Sequence, residues 1–249
     1  MPGWPGRSWR PSPLAGASIA GMVADLSRTW ALVPLRGLED AKTRLGAELD
    51  AEERLELVVS MASRTLAAAR DAHGLRGSVL VTADPEAARL ATSFGARTLV
   101  QRLPGLNAAI REARGVAVAA GATAVLVLPI DLPAIEPEAI DDVIDRVAEF
   151  VAADDRIALV AAVRDRHGSG TNALLVTPPE AIEPAFGEGS LAAHRRAAAA
   201  TGARFVELGG PLTADVDTGA DLIAAEAAGR TGHAGGPLRP GGRRGRDAT

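Results

Sequence analysis

Between residues 26 and 228, short apolar runs alternate with longer helical stretches. That alternation predicts an α/β protein: a doubly wound, mostly parallel sheet with helices on both faces. The run at 125–128 is continuous in Val and Leu, as a strand buried on both faces requires. With 249 residues and 47% hydrophobic content, the chain can also bury a full core.

Residues 30–35 read as the first strand. Asp50 then caps a long helix running to about residue 71, and Glu53 stands three positions on, as in a capping box. Leu55, Val58, Val59, Ala62 and Leu66 recur along it at helical spacing. Residues 78–82 make the next strand, and the following helix opens at Pro85, since proline suits the first helical position. A third strand over 96–100 precedes a helix over 106–120. After the buried strand at 125–128, Pro137 opens another helix. Strands at 157–163 and 173–176 flank a loop rich in glycine and charge. A short helix follows Ser190, then a strand over 204–208 and a last helix from about Ala220.

These elements make one domain, 26–228. Residues 1–25 read as a disordered extension; two arginines before a weakly apolar patch resemble a secretory leader only faintly, because Pro and Gly break the patch. Met22 offers a shorter start. Residues 229–249 are too rich in Gly, Arg and Pro to bury a core and read as a disordered tail.

The net charge of −4 gives no sign of a nucleic-acid or anionic-membrane binder. No apolar stretch approaches the roughly 18 residues of a membrane span. Cysteine is absent, which removes disulfides, thiolate metal sites and a Cys nucleophile, and a cytoplasmic location is expected.

The chemistry gathers where strands end. The loop after the first strand carries Arg36, Lys42 and Arg44, cations placed to meet a phosphate at the carboxyl edge of a sheet. Asp131 leaves the buried strand into a turn bounded by Pro129 and Pro133, a place for a Mg²⁺ ligand or for a turn cap. Asp215 and Asp217 share one side of an extended segment, though Asp217 or Thr218 also suits as a helix cap. The loop 165–172 is dense in small residues whose amides can form an anion-binding concavity; a plain hairpin explains its glycines equally well, and Thr171 and Asn172 less well. Gly187, Gly189 and Ser190 lead into a helix, with Ser190 as the expected N-cap and the helix start open to an anion. His194, one turn on, shares the face of Ser190 and is a secondary candidate. Asn107 can cap its helix or read a base edge. His73, His167 and His233 show no metal-ligand spacing.

Six segments in order, VPLRGLEDAKTRL, PGLNAAI, LPIDLP, DRHGSGTNALL, FGEGS with the later His194, and DVDTGADL, together resemble one family. It is the guanylyltransferases that activate phosphoenolpyruvate or 2-phospholactate in making coenzyme F-420, called FbiD in actinobacteria and CofC in archaea. The resemblance implies the nucleotidyltransferase version of the doubly wound fold (GT-A-like, Rossmann-like) with a mixed sheet. It implies GTP and phosphoenolpyruvate, or 2-phospholactate, as substrates and Mg²⁺ as the cofactor. Thr171, Gly187 and Ser190 match phosphoenolpyruvate contacts, Lys42 and Arg44 the basic residues that meet the triphosphate, and Asp131 and Asp217 the metal-binding aspartates. Arg36, Lys42 and Asn107 fall to the nucleotide. Arg36 stands where lysine is usual, and arginine keeps the charge without the compact point geometry. Ser169 replaces a common glycine. Oligomeric state is not readable.

Two other readings remain open. Molybdopterin guanylyl- or sugar-acid cytidylyltransferases share the fold, but open with a glycine-rich loop where this chain has PLRGLEDAK with the single Gly37. A non-catalytic nucleotide-binding protein is disfavoured by the intact Asp131, Asp217 and Lys42.

Overall fold

A computed structural model describes residues 23–38, 49–154, 158–216 and 221. Lys42, Arg44 and Asp217, the start of the strand expected from residue 157 and most of the helix expected from Ala220 lie outside them.

The elements follow in the order β1 Thr29–Pro34, α1 Ala51–Asp71, β2 Leu75–Thr82, α2 Pro85–Ser93, β3 Arg97–Val100, α3 Leu106–Ala119, β4 Ala124–Val127, α4 Pro137–Ala153, β5 Leu159–Arg164, β6 Thr171–Thr177, α5 Ser190–Thr201 and β7 Arg204–Leu208. A 3-10 turn at Pro211–Thr213 follows. The strands form one seven-stranded sheet in the order β3-β2-β1-β4-β6-β5-β7. Every pairing is parallel except those of β6, which runs against both β4 and β5. The sheet is therefore mixed and mostly parallel.

Alternation along the strands sorts the core into layers. Leu32, Val79, Val125, Val127, Val160 and Leu174 face α3 and α5. Ala31, Leu126, Leu128, Leu159 and Leu175 face α1 and α4, and Val33 and Leu80 meet α1 and α2. All of β4 is buried, so its unbroken apolar run has a helix layer on each side. Helix α1 starts as expected: Asp50 accepts the amide of Glu53 at 2.9 Å while Glu53 accepts the amide of Asp50 at 2.9 Å. Pro85 and Pro137 stand at the starts of α2 and α4.

Two elements are longer than the apolar pattern predicts. Strand β2 begins at Leu75 rather than 78, because Leu75 and Gly77, which make no apolar run, pair with Thr29 and Trp30 across a register irregularity. Gly77 lies there under the Trp30 ring, where a Cβ would approach within 2.9 Å. Strand β6 starts at Thr171, two residues early, with Thr171 and Asn172 both buried.

The topology defines where ligands meet the sheet. From β1 the chain moves outward through β2 and β3, then returns to place β4 on the other side of β1. The crevice beyond the carboxyl ends of β1 and β4 is thus a topological switch point, where open α/β sheets bind ligands. Because β6 is reversed, its first residue, Thr171, stands at that same edge.

Candidate active site

Arg36 follows β1 and is exposed at this edge. The backbone continues the sheet ladder one residue past the strand, with the Leu35 amide donating to Val81 at 3.0 Å. Asp84 then fixes the loop. One carboxylate oxygen accepts the Leu38 amide at 2.9 Å, and the other caps α2 by accepting Glu86 at 2.8 Å. The Leu38 amide chiefly holds the Asp84 carboxyl below its usual range, against the opposing effect of burial. Asp84 therefore anchors the loop just before the segment that holds Lys42 and Arg44. Its sequence signal was an Asp directly before a helix-opening proline, a cap pattern with nothing to indicate the second bond.

Asp131 occupies the turn after β4 and is half-buried. Its carbonyl accepts the Val216 amide at 2.9 Å, which brings the segment bearing Asp215 against the Asp131 turn. Farther on, buried Asp221 pairs with Arg166 from the β5–β6 loop. The expected second metal-binding residue, Asp217, lies between these two anchors in sequence. Among the described residues no group of three His, Cys, Asp or Glu side chains gathers closely enough to hold a metal.

The β5–β6 loop is a hairpin closed by the Asp165 amide on the Gly170 carbonyl at 3.0 Å. Asp165 accepts the Ser169 amide at 2.9 Å. Burial raises its carboxyl, but amides of Gly170, Ser169 and Gly168 outweigh that and hold it below the ordinary value. The loop amides thus turn inward to Asp165.

Ser190 is not the N-cap of α5. Gly189 takes that position with φ 66°, and Ser190 is the first helical residue, fully packed. The reason is local: a left-handed residue is needed to turn the chain into the helix, and serine adopts that conformation poorly. An added Cβ at Gly189 would meet nothing within 4 Å, so backbone conformation alone demands glycine. Freed from capping, the Ser190 hydroxyl accepts the Thr171 amide at 2.9 Å. The Ser190 amide donates to Gly187 and the Leu191 amide to Ser169, both at 3.2 Å. The first two helical amides thus close the loop rather than face an anion.

Asn107 does not cap α3 either; Gly105 does. Its side-chain oxygen accepts the Phe186 amide at 2.8 Å and its nitrogen donates to the Phe186 carbonyl at 3.0 Å. Asn107 therefore pins the loop carrying Gly187 to the start of α3.

His194 joins the same cluster. It is fully buried on the face of α5 that carries Ser190, and burial pushes its pKa down to about 4. Nδ1 lies 3.1 Å from the Thr171 hydroxyl, and Nε2 accepts the Ala185 amide at 3.0 Å. The Phe186 ring meets the imidazole edge-on at 4.9 Å.

The structure thus brings Thr171, Gly187, Ser190, His194 and Asn107 into one bonded cluster, and places Asp131 and Arg36 at the ends of the two strands flanking the switch point. Such a mixed sheet, with the candidate residues at its crossover, is the fold of nucleotidyltransferases. It superposes on a Methanothermobacter nucleotidyl transferase with a TM-score of 0.55 at 16% identity, covering 82% of this chain and 99% of that one. It also superposes on 4-diphosphocytidyl-2C-methyl-D-erythritol synthase from Anaerococcus prevotii with a TM-score of 0.53 at 11% identity, covering 81% and 96%. Over residues 29–235 the sequence matches the family described as "Guanylyl transferase CofC like", and the chain belongs to that family. Similar proteins include phosphoenolpyruvate guanylyltransferases of Sphaerobacter thermophilus, 40% identical over 78% of this chain and 90% of the relative. Others come from Rubrobacter xylanophilus, 41% over 80% and 94%, and Mycobacterium leprae, 38% over 84% and 92%.

Proposed function

We propose that this protein transfers GMP from GTP to phosphoenolpyruvate, giving enolpyruvyl-2-diphospho-5'-guanosine and pyrophosphate, as a cytoplasmic step in making coenzyme F-420. The observation that carries the reading is the pair of buried hydroxyls, Thr171 and Ser190, at the switch-point edge of a guanylyl transferase fold. The Ser190 oxygen accepts the Thr171 amide, which leaves its own hydrogen for a ligand oxygen. Relatives at 38–41% identity named for phosphoenolpyruvate support the choice of acceptor.

In this reading a phosphate oxygen of phosphoenolpyruvate attacks the α-phosphorus of GTP. The new P–O bond forms as the bond to the α,β-bridging oxygen breaks, and that electron pair leaves with pyrophosphate. The nucleophile is an anion at neutral pH, so no side chain has to take a proton. The protein's task is positioning and charge compensation. Thr171, Gly187 and Ser190 seat the acceptor. Lys42 and Arg44 hold the β- and γ-phosphates and steady the leaving group, and Arg36 adds a further cation for the nucleotide. Asn107, expected at the nucleotide, instead serves the acceptor side by pinning the Gly187 loop.

The carboxylate oxygens of Asp131 and Asp217 suit Mg²⁺, a hard cation that binds through one or two carboxylates plus substrate phosphates. The Val216 amide on the Asp131 carbonyl, one residue before Asp217, favours their sharing it. Bound there, Mg²⁺ would supply charge neutralisation across the two phosphates.

The test is mass spectrometry of the purified protein with Mg²⁺, each nucleoside triphosphate in turn, and either phosphoenolpyruvate or 2-phospholactate. The expected result is a guanylylated enolpyruvyl diphosphate with equimolar pyrophosphate. Product only from 2-phospholactate, or only from another nucleotide, would overturn the assignment.

A further inference from the structure

His194 does more than fill space beneath α5. A backbone N–H can only donate, so the Ala185 amide at 3.0 Å requires a lone pair on Nε2. The neutral ring then carries its proton on Nδ1, and that proton faces the Thr171 oxygen at 3.1 Å. Thr171 is therefore an acceptor toward His194, and its own hydrogen is left to donate elsewhere. Ser190 is arranged alike, its oxygen accepting the Thr171 amide. Among the described residues neither hydroxyl hydrogen has an acceptor. Two buried donors with no acceptor among the described residues suit an oxygen from outside, and an anion supplies one.

We propose that His194 is a positioning residue: by donating from Nδ1 it fixes the Thr171 hydroxyl as a hydrogen-bond donor to an oxyanion of the acceptor substrate. A bond chain runs from the Ala185 amide through the imidazole and the Thr171 hydroxyl to the ligand, coupling the loop before Phe186 to the mouth of the hairpin. This inference rests on the acceptor-site reading above. It assigns a role to a histidine that contacts no substrate and transfers no proton. Burial, which disfavours the imidazolium, keeps the ring in the neutral form that the chain of bonds requires.

The two halves of the imidazole can be separated. His194→Gln places an acceptor near Nε2 and removes the Nδ1 donor; His194→Asn keeps a donor near Nδ1. Loss of one hydrogen bond to a charged group is worth about tenfold or more. His194→Gln should therefore raise KM for phosphoenolpyruvate about tenfold and leave KM for GTP unchanged, with His194→Asn restoring part of it. In a Thr171→Val background, His194→Gln should add nothing further. An unchanged phosphoenolpyruvate KM in His194→Gln, beside a raised one in Thr171→Val, would overturn this inference alone. An equal effect in both backgrounds would mean a merely structural histidine. If Thr171→Val itself leaves that KM unchanged, the acceptor-site reading fails, and this inference with it. Should the variants not fold, ¹⁵N histidine NMR of the unaltered protein decides: a protonated Nδ1 whose signal moves on adding phosphoenolpyruvate is expected, and a protonated Nε2 would refute the proposal.

Discussion

The two halves of the site are built by opposite strategies. On the proposed acceptor side, Thr171, Ser190, His194 and Asn107 are buried or partly buried and bonded to backbone or to one another at 2.8–3.1 Å. On the proposed metal and triphosphate side, the described groups, Arg36 and Asp131, are charged and follow the ends of β1 and β4. There the described fastenings are the Val216 amide on Asp131, the Asp84 carboxylate on Leu38 and the Arg166–Asp221 pair. Neutral donors can be desolvated and preset before the ligand arrives. Charges held that way would carry a desolvation cost of several kcal/mol each, which under the proposed function the substrate phosphates and Mg²⁺ would offset on binding. Under the proposed function one half is preformed and the other is completed by its ligands.

The sharpest way to break this contrast is Asp131→Asn. If the charged half works only as charge, turnover should fall roughly 100- to 1000-fold with thermal stability unchanged, measured by pyrophosphate release and calorimetry. Near-normal turnover would remove Asp131 from the chemistry. The buried half should fail instead by losing stability in acid. His194 has a folded pKa of about 4 against 6.5 unfolded, so its contribution is intact above pH 6.5 and is lost as pH falls toward 4. The loss approaches roughly 3 kcal/mol, visible as a urea midpoint that drops over that window and drops less in His194→Gln. Ser190→Ala strands the buried Thr171 amide and should cost about 1–3 kcal/mol, while raising KM for phosphoenolpyruvate more than that for GTP. Equal effects on both would place the acceptor elsewhere. Smallest, Asp84→Ala should lose an N-cap, about 1 kcal/mol, and raise KM for GTP alone, because it frees the loop ahead of Lys42.

The same contrast separates what could be read in the chain from what could not. Short apolar runs alternating with helical stretches, with Pro85 and Pro137 as helix starts, marked each described strand and α-helix, whereas Asp131 leaving a buried strand suited a Mg²⁺ ligand and a turn cap alike. The fine structure of the acceptor side was not legible. Which residue caps α5 depends on whether Gly189 or Ser190 takes the left-handed turn, and both sit in the same small-residue loop. The role of His194 rests on the Ala185 amide nine residues away, a backbone group with no signature in sequence. The 3-10 turn at Pro211–Thr213, whose Leu212 carbonyl receives the Asn172 side chain at 3.0 Å, has no apolar period to announce it. Asn172 and Thr171 look out of place in a buried strand until those partners are known.

The reversed strand has a consequence for how the chain is made. Synthesis delivers β1 through β4 first, and these can pair as soon as they emerge. Strand β5 comes next, yet it has no place beside β4; that edge is reserved for β6. Until residues 171–177 leave the ribosome, the nascent sheet carries an apolar, unpaired border along β4, the kind of edge that recruits other chains. The segment that seals it is the one that begins with Thr171, so the growing polypeptide covers this margin in the same event that sets the first residue of the proposed acceptor site.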